Sequence, residues 1–319
     1  MTTPRSDTVI AEESCYHCIS RCVRRAYLYG QDSYSGKNYD HRKDWIRDRL
    51  QFLVTVFCIE VLACALMDNH LHLLIRTQPE FLQSLSDWDI ARLWLTLYPP
   101  PHGEEATEEE IRVLVQNGKR MAHLRERLGS VSWFMKSLNE FIARKANRED
   151  ECKGRFWEGR FRCQRMDSES ALLGCAVYID LNPVRAGKAQ TPEESTFTSA
   201  YERIDLLKNG KGEEDLWLAP IQDTGKRRGF LSISREEYLS ILDETGRVIK
   251  NDKRGAIPKE LEPILIRLGI KPGGWSRLVG ELGNAFSCVI GDTDSIRQAA
   301  HSMGKRWLKG LGTAQHAFA

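Results

Sequence analysis

Two histidines separated by one leucine, His70-Leu71-His72, stand inside an apolar stretch that continues to Ile75. Side chains of a β-strand alternate between the two faces of a sheet, so a strand here would place both imidazoles on one face. Two imidazoles on one face can supply half of a metal site. The other interpretation is a pair of hydrogen-bonded histidines on a solvated strand face, and this pattern by itself does not exclude it.

A second candidate pair lies far downstream, at Tyr178 and Asn182. The surrounding segment, 167–182, starts with residue types that favour a helix N-cap, carries apolar residues at helical spacing and ends before Pro183. Positions four apart share one face of a helix, so the phenol and the amide would project together. A phenol can act as a nucleophile and an amide oxygen can bind a hard cation. The pair therefore complements the two histidines.

Cations alternate with aromatic rings along segment 152–166, which we predict to be the last strand or hairpin of the sheet. Cations neutralise phosphates and aromatic rings can stack on unpaired bases, so the combination favours binding of single-stranded DNA. The alternative is a half-buried strand with a charged outer face. The candidate DNA-binding residues are Lys153, Arg155, Phe156, Trp157, Arg160, Arg162 and Arg165.

Together these pieces resemble the His-hydrophobe-His (HUH) endonucleases and, within the single-tyrosine group of that superfamily, the REP-associated tyrosine transposases of bacteria. The matching motifs, in chain order, are Tyr16-His17-Cys18-Ile19-Ser20-Arg21, His70-Leu71-His72, the basic aromatic run 154–161, and the segment 178–187. The resemblance implies a metal-dependent endonuclease and strand transferase that acts on hairpin-bearing single-stranded repeat DNA during transposition.

The resemblance also implies a role for each matching residue. Tyr178 would attack a phosphodiester and leave a 5′-phosphotyrosine and a free 3′-hydroxyl. His70 and His72 would bind Mg²⁺ or Mn²⁺ with Asn182 as the third ligand, and Arg185 would contact the DNA. Three other functions stay open. They are a DNA-binding protein that has lost cleavage, a metallophosphoesterase in which water attacks, and a regulator that acts through its C-terminal helices.

The predicted elements are those of an α+β protein. Strands at 15–22, 59–67 and 70–77, with a helix at 42–58 between the first two, begin a ferredoxin-like antiparallel sheet. We expect its helices to cover one face, with the two histidines on a central strand. This HUH core would be followed by an all-helical extension.

Composition changes suggest where the parts of the chain begin and end. A catalytic domain is predicted over 1–207, with a polar, proline-rich insertion at about 79–128. A glycine-rich and charged linker, 208–233, then leads to an all-helical C-terminal domain, 234–319. That domain could bind DNA as a helix-turn-helix does, or it could pack against the catalytic domain.

The overall composition indicates how the protein could bind nucleic acid, which compartment we expect it to occupy and whether its cysteines are reduced. The chain has 319 residues and a net charge of +2, so a surface that binds nucleic acid has to come from local clustering of cations. No apolar run approaches the length that spans a bilayer, and the first residues lack a secretory apolar core, so we expect a cytoplasmic protein. Nine cysteines without a secretory signal predict reduced thiols. Whether the protein is a monomer or a homodimer is left open.

Overall fold

The computed structural model describes residues 8–23, 28–32, 36–103, 105–209, 211–213, 216–249 and 286–317. Within these ranges, five strands form one sheet in the order β2-β3-β1-β4-β5. The strands are β1 (Cys15–Arg21), β2 (Ile59–Leu66), β3 (His70–Thr77), β4 (Arg162–Met166) and β5 (Val289–Ile290). The first four pair antiparallel, whereas β5 runs parallel to β4. The chain is therefore an α+β protein with a mixed sheet.

Helices connect and cover the strands. They are α1 (Arg42–Val56), α2 (Pro79–Ser84), α3 (Asp87–Leu97), α4 (Glu108–Val115), α5 (Gly118–Leu128), α6 (Val131–Glu149), α7 (Glu169–Asp180), α8 (Asn182–Arg185), α9 (Ser199–Lys208), α10 (Arg235–Ile249), α11 (Thr293–Ser302) and α12 (Leu311–Ala317). None of the helices in the described ranges combines the length and the apolar character needed to cross a membrane.

Helices lie on both faces of the sheet, which corrects the expectation that they cover one face. The core on one face holds Leu71 and Leu73 of β3 together with residues of α1 and α3–α6. The other face holds Leu74 of β3 with residues of α7, α10 and α11. The reason lies in β2, which is apolar at nearly every position and is buried along almost its whole length. A strand with two apolar faces needs cover on both sides.

The segment predicted as an insertion, 79–128, folds into the four helices α2–α5 and joins the core on the α1 face. Its buried side chains include Ile90, Ile111, Leu114, Met121 and Leu124. The pattern of Thr107 followed by Glu110 predicts a capping box at the start of α4. The structure confirms it, because Thr107 accepts from the backbone N–H of Glu110 and the Glu110 carboxylate accepts from that of Thr107.

The C-terminal part contributes to the sheet as well as to its helical cover. The predicted linker is not solvated throughout, since residues 216–233 bury Leu218, Ala219, Ile221, Phe230, Leu231 and Ile233. β5 adds a strand beside β4, which corrects the expectation of an all-helical extension. A strand of two residues has no periodicity that a sequence pattern could reveal. The sequence also predicts apolar helical segments at 261–268 and 275–286. The first lies outside the described residues, and so does the second up to residue 285.

A buried carboxylate at the end of α7 connects this helix to its neighbours. Asp180 accepts hydrogen bonds from the Ser199 hydroxyl at 2.5 Å, the Ala200 backbone N–H at 2.9 Å and the Tyr238 hydroxyl at 2.6 Å. Ser199 in turn accepts from the backbone N–H of Cys64 in β2 at 3.0 Å. Burial raises the pKa of Asp180, although Arg203 and these donors oppose the rise. The position of α7 over the sheet therefore depends on this network.

We expect the Tyr238→Phe substitution to lower the free energy of unfolding by about 1 to 2 kcal/mol, because it removes one donor from a fully buried carboxylate. Chemical denaturation of both proteins measures the change. Tyr98 is 42% exposed, so Tyr98→Phe is a matched control that should stay within about 0.5 kcal/mol of wild type. Equal effects of the two substitutions would contradict the structural role of Asp180.

Candidate active site

The register between β1 and β3 places three histidines on one face of the sheet. Ile19 pairs with His72 and His17 with Leu74, so His17 lies diagonally beside His72. The rings of His17 and His72 stack with centroids 5.1 Å apart, and Nε2 of His17 is 2.9 Å from Nδ1 of His72. The His70 ring stands edge-on to that of His72, at 4.9 Å between centroids. His70 and His72 therefore share a face, as their spacing predicts.

Helix α7 brings the candidate nucleophile over these rings. Ser168 caps the helix by accepting from the backbone N–H of Ala171, and every residue after Glu169 is buried except Tyr178. The Tyr178 ring is 5.6 Å from the His72 ring and 5.9 Å from the His17 ring, measured between centroids. Packing of α7 on the sheet thus leaves one phenol beside the histidine pair.

An open cleft of about 370 Å³ lies at this place. Arg160 and Arg162 line it, and Glu158 contributes a carboxylate that is 3.7 Å from the guanidinium of Arg21. The residues that line the cleft are Ile19, Arg21, His70, His72, Glu158, Gly159, Arg160, Arg162 and Tyr178. A phenol, two imidazoles and several cations therefore face the same space.

Burial favours the neutral form of all three histidines. It lowers the pKa of His17 to about 3, an effect that nearby Arg162 increases and hydrogen bonding with Gln164 opposes. Burial lowers the pKa of His72 well below its usual value, and the neighbouring His17 and His70 act in the same direction. The pKa of His70 is lowered by burial and by Arg21. Neutral imidazoles are the form that binds metal ions.

His72 has a further property that favours binding of a divalent cation. Nε2 of His72 is buried and has no hydrogen-bond partner among the described residues, although buried polar atoms nearly always have one. A cation held there would satisfy this atom. Within the described ranges, no three side chains of histidine, cysteine, aspartate or glutamate are grouped so that they could hold a metal. Other donors, such as amide or substrate oxygens, would have to complete the coordination.

Asn182 is close to Tyr178 but does not line the cleft. Its amide nitrogen donates to the backbone carbonyl of Tyr178 at 3.4 Å, and the side chain is half-buried at the start of α8. Its role as the third metal ligand stays a prediction. Arg185 lies on the same side, with its guanidinium carbon 4.8 Å from the centroid of the Tyr178 ring.

Some of the predicted DNA-binding residues are exposed, and others are buried. Lys153, Arg155, Arg160 and Arg162 are exposed. Phe156 is 3% exposed and belongs to the core, so it is not placed to stack on a base. Arg165 is also buried and is bound by both oxygens of Asp167, at 2.6 and 2.8 Å. These two assignments are corrected.

The chain before β4 is irregular, and Trp157 in this segment is held against α6. The indole N–H of Trp157 donates to the backbone carbonyl of Asn139 at 2.9 Å, which holds the half-buried ring against α6. The predicted strand or hairpin over 152–166 is formed only in its last part, because the chain turns at Gly154 with a φ of +121° and β4 begins at Arg162. Strict alternation between two faces therefore does not apply to residues 153–161.

Two residues of the site have more importance than their sequence pattern indicates. His17 is fully buried against His72, a contact that its position in the sequence does not indicate. Gln164 of β4 pairs with His17 and is buried beside it. Alternation places each of them on a strand face, but only the pairing of β1 with both neighbours brings them together.

Comparisons with known proteins give little support for a function. No protein-family model matches this chain, and no curated protein matches its sequence. Among solved structures, the chain is similar to a REP-associated tyrosine transposase bound to a REP hairpin, with 13% identity, a TM-score of 0.35, and coverage of 73% of this chain and 100% of that one. A similarity of this size assigns neither a fold nor an activity to the protein.

The lowered pKa of His17 predicts how stability changes with pH. The unfolded chain binds a proton on this histidine below a pH of about 6.5, whereas the folded chain does so only near 3. The stability that neutral His17 contributes is therefore complete above the unfolded pKa and is lost as the pH falls through this window. The loss should approach about 1.4 kcal/mol per pH unit.

Urea denaturation between pH 3 and pH 7 measures this dependence. The variant His17→Gln should lose stability less steeply than wild type, because it lacks the group that takes up a proton on unfolding. His123 is 72% exposed, so His123→Gln is a matched control that should keep the wild-type profile. Parallel profiles for wild type and His17→Gln would contradict the prediction.

Proposed function

We propose that this protein is a metal-dependent single-stranded DNA endonuclease and strand transferase that uses Tyr178 as its nucleophile. The proposal is supported chiefly by one observation, which is that the Tyr178 ring lies 5.6 Å from the His72 ring in a cleft lined with arginines. The order of the sequence motifs supports the same function. In this proposal the substrate is hairpin-bearing repeat DNA, and the reaction serves DNA transposition.

In this proposal each side chain at the cleft has a separate role in DNA binding or catalysis. Arg160 and Arg162 would attract the phosphodiester backbone, since both are exposed cations at the cleft. A Mg²⁺ or Mn²⁺ ion bound by His70 and His72, with Asn182 as a candidate third ligand, would polarise the scissile phosphate and stabilise its developing charge. Tyr178 would supply the attacking oxygen from the helix that packs across this face.

The chemistry of the tyrosine explains why strand transfer accompanies cleavage. The phenolic oxygen forms a bond to phosphorus while the bond from phosphorus to the 3′-oxygen breaks. The phenol loses a proton and the departing 3′-oxygen gains one, and a 5′-phosphotyrosine remains. Because one phosphodiester replaces another, the 3′-hydroxyl of a second DNA end can reverse the step and join strands.

We expect purified protein and end-labelled hairpin DNA from the flanks of its own gene to form a covalent complex when Mg²⁺ or Mn²⁺ is present. Denaturing electrophoresis detects the complex, which should be absent with EDTA and in Tyr178→Phe. Tyr201 is half-buried in α9 and lies outside the cleft, so Tyr201→Phe is the matched control and should react like wild type.

Each alternative outcome of this experiment has a distinct meaning. Cleavage that survives in Tyr178→Phe would assign the attack to water and make the protein a metallophosphoesterase. Tight hairpin binding without a covalent complex under any metal would leave a DNA-binding protein without cleavage. Either result would overturn the proposed tyrosine chemistry.

The arginines that line the cleft predict a salt-dependent contact with DNA. In Arg160→Gln, affinity for single-stranded DNA should fall, and the slope of log affinity against log salt should become shallower by about 0.7, as expected for one lost phosphate contact. Fluorescence anisotropy at several salt concentrations measures both quantities. Lys119 is exposed on α5, away from the cleft, so Lys119→Gln should keep the wild-type slope. An unchanged slope in Arg160→Gln would remove this residue from the DNA contact.

A further inference from the structure

The tautomer of His72 decides whether its buried nitrogen can bind a cation. A neutral imidazole carries one proton, and only its other nitrogen offers a lone pair. Nδ1 of His72 is 2.9 Å from Nε2 of His17, so one of these two atoms carries the proton between them. If His17 donates, His72 is protonated at Nε2 and that atom cannot bind a cation. If His72 donates, its Nε2 is left with a lone pair.

Gln164 lies on the other side of His17, and its amide has a defined orientation. The register pairs His17 with Gln164, so the two side chains share a face of the sheet. The amide nitrogen of Gln164 donates to the backbone carbonyls of Phe286 at 3.2 Å and Ser287 at 2.7 Å. A backbone carbonyl can only accept, so these two bonds identify the nitrogen and leave Oε1 as the other polar atom of the amide.

The remaining polar atoms of the two residues fit each other. Oε1 of Gln164 and Nδ1 of His17 are both buried, and neither has a hydrogen-bond partner among the described residues. A hydrogen bond between them would satisfy both atoms. An accepting Oε1 requires a proton on Nδ1 of His17, and neutral His17 then has an unprotonated Nε2.

We propose that Gln164 is a positioning residue which acts through His17 to hold His72 in the tautomer protonated at Nδ1, which leaves a lone pair on the buried Nε2 for a cation. The hydrogen bonds then run in one direction, from His72 Nδ1 to His17 Nε2 and from His17 Nδ1 to Gln164 Oε1. The opposite direction would leave two buried lone pairs, on His17 Nδ1 and Gln164 Oε1, without a proton between them. The inference rests on the proposed role of His72 as a metal ligand.

The C-terminal part of the chain takes part in this arrangement. The two carbonyls that orient the Gln164 amide belong to residues immediately before β5, and the backbone carbonyl of Cys288 accepts from the N–H of Arg165 at 2.7 Å. Docking of this segment beside β4 therefore orients an amide that is two side chains away from the candidate metal ligand.

Long-range ¹H–¹⁵N correlation spectra of metal-free, ¹⁵N-histidine-labelled full-length protein report the tautomer directly. We expect His72, identified by the signal lost in His72→Asn, to be protonated at Nδ1 in wild type and to become protonated at Nε2 in part of the molecules of Gln164→Leu. Gln83 is exposed on α2, so Gln83→Leu is the matched control and should keep the wild-type spectrum. Protonation of His72 at Nε2 in wild type would overturn the proposal.

A second pair of variants separates positioning from packing at His17. The amide oxygen in His17→Gln can still accept from Nδ1 of His72, whereas His17→Leu offers no acceptor. We expect the Nδ1-protonated tautomer to persist in His17→Gln and to be reduced in His17→Leu. Affinity for Mn²⁺, measured without DNA by electron paramagnetic resonance, should fall about tenfold or more in His17→Leu and in Gln164→Leu. Unchanged tautomers in both leucine variants would contradict the inference even if their stability fell.

The experiments distinguish a failure of this inference from a failure of the proposed function. Wild-type protein that holds His72 protonated at Nδ1 and binds Mn²⁺ but forms no covalent complex with DNA would refute only the tyrosine chemistry. Protein that forms the complex while His72 is protonated at Nε2 would refute the role of Gln164 and the binding of a cation by Nε2 of His72, but it would leave the tyrosine chemistry in place. Loss of folding in Gln164→Leu would still leave the wild-type tautomer and the His17 pair as decisive measurements.

Discussion

The candidate site depends first on the antiparallel pairing of β1 with β3. This pairing sets His17 beside His72 and places both on the face that α7 covers. A slip of one residue would turn the histidines into the opposite core and bring Leu71 and Leu73 to the cleft side. Those two leucines are fully buried among residues of α1 and α3–α6, so hydrophobic burial on one face maintains the arrangement of polar groups on the other.

The second constraint is the position of α7. Its sequence is so apolar that nearly the whole helix is buried, and Tyr178 is the exception after the first residue. The Asp180 network holds the end of the helix to β2, α9 and α10 through buried hydrogen bonds. Such fully bonded polar groups in a core have few alternative arrangements, because each displaced bond would leave a buried group unsatisfied. The phenol is thereby kept beside the rings by groups that are not themselves in the cleft.

Much of the framework could be predicted from periodicity alone. The bounds of α1, β2, β3 and α7 agree with the sequence to within two or three residues, because each has a long apolar pattern of one period. Features that depend on distant pairing were not predictable in this way. The partnership of His17 with His72 follows from the β1–β3 register, and the cover on both faces follows from how the later helices pack.

The errors have equally specific causes. Alternation of cations and aromatics suggested that Phe156 and Arg165 face DNA, yet the turn at Gly154 breaks the alternation and Asp167 binds Arg165. β5 was not predicted because a strand of two residues is too short to show an alternating pattern. Its position beside β4 depends on pairing between strands that are far apart in the chain. Local patterns therefore identify elements and their faces, while the contacts between elements require the assembled sheet.

The way the sheet is completed has a consequence for how this chain folds. The outer edge of β2 is occupied within the described ranges by residues Phe197 and Ala219, and the outer edge of β4 is closed by β5. Pairing Arg165 with Val289 closes a very long loop, and such non-local contacts form slowly because the entropy of loop closure has to be met first. Until that happens, β4 presents unpaired backbone groups to any other extended chain. The interval before β5 docks is therefore the stage at which newly made chains are most exposed to edge-to-edge association.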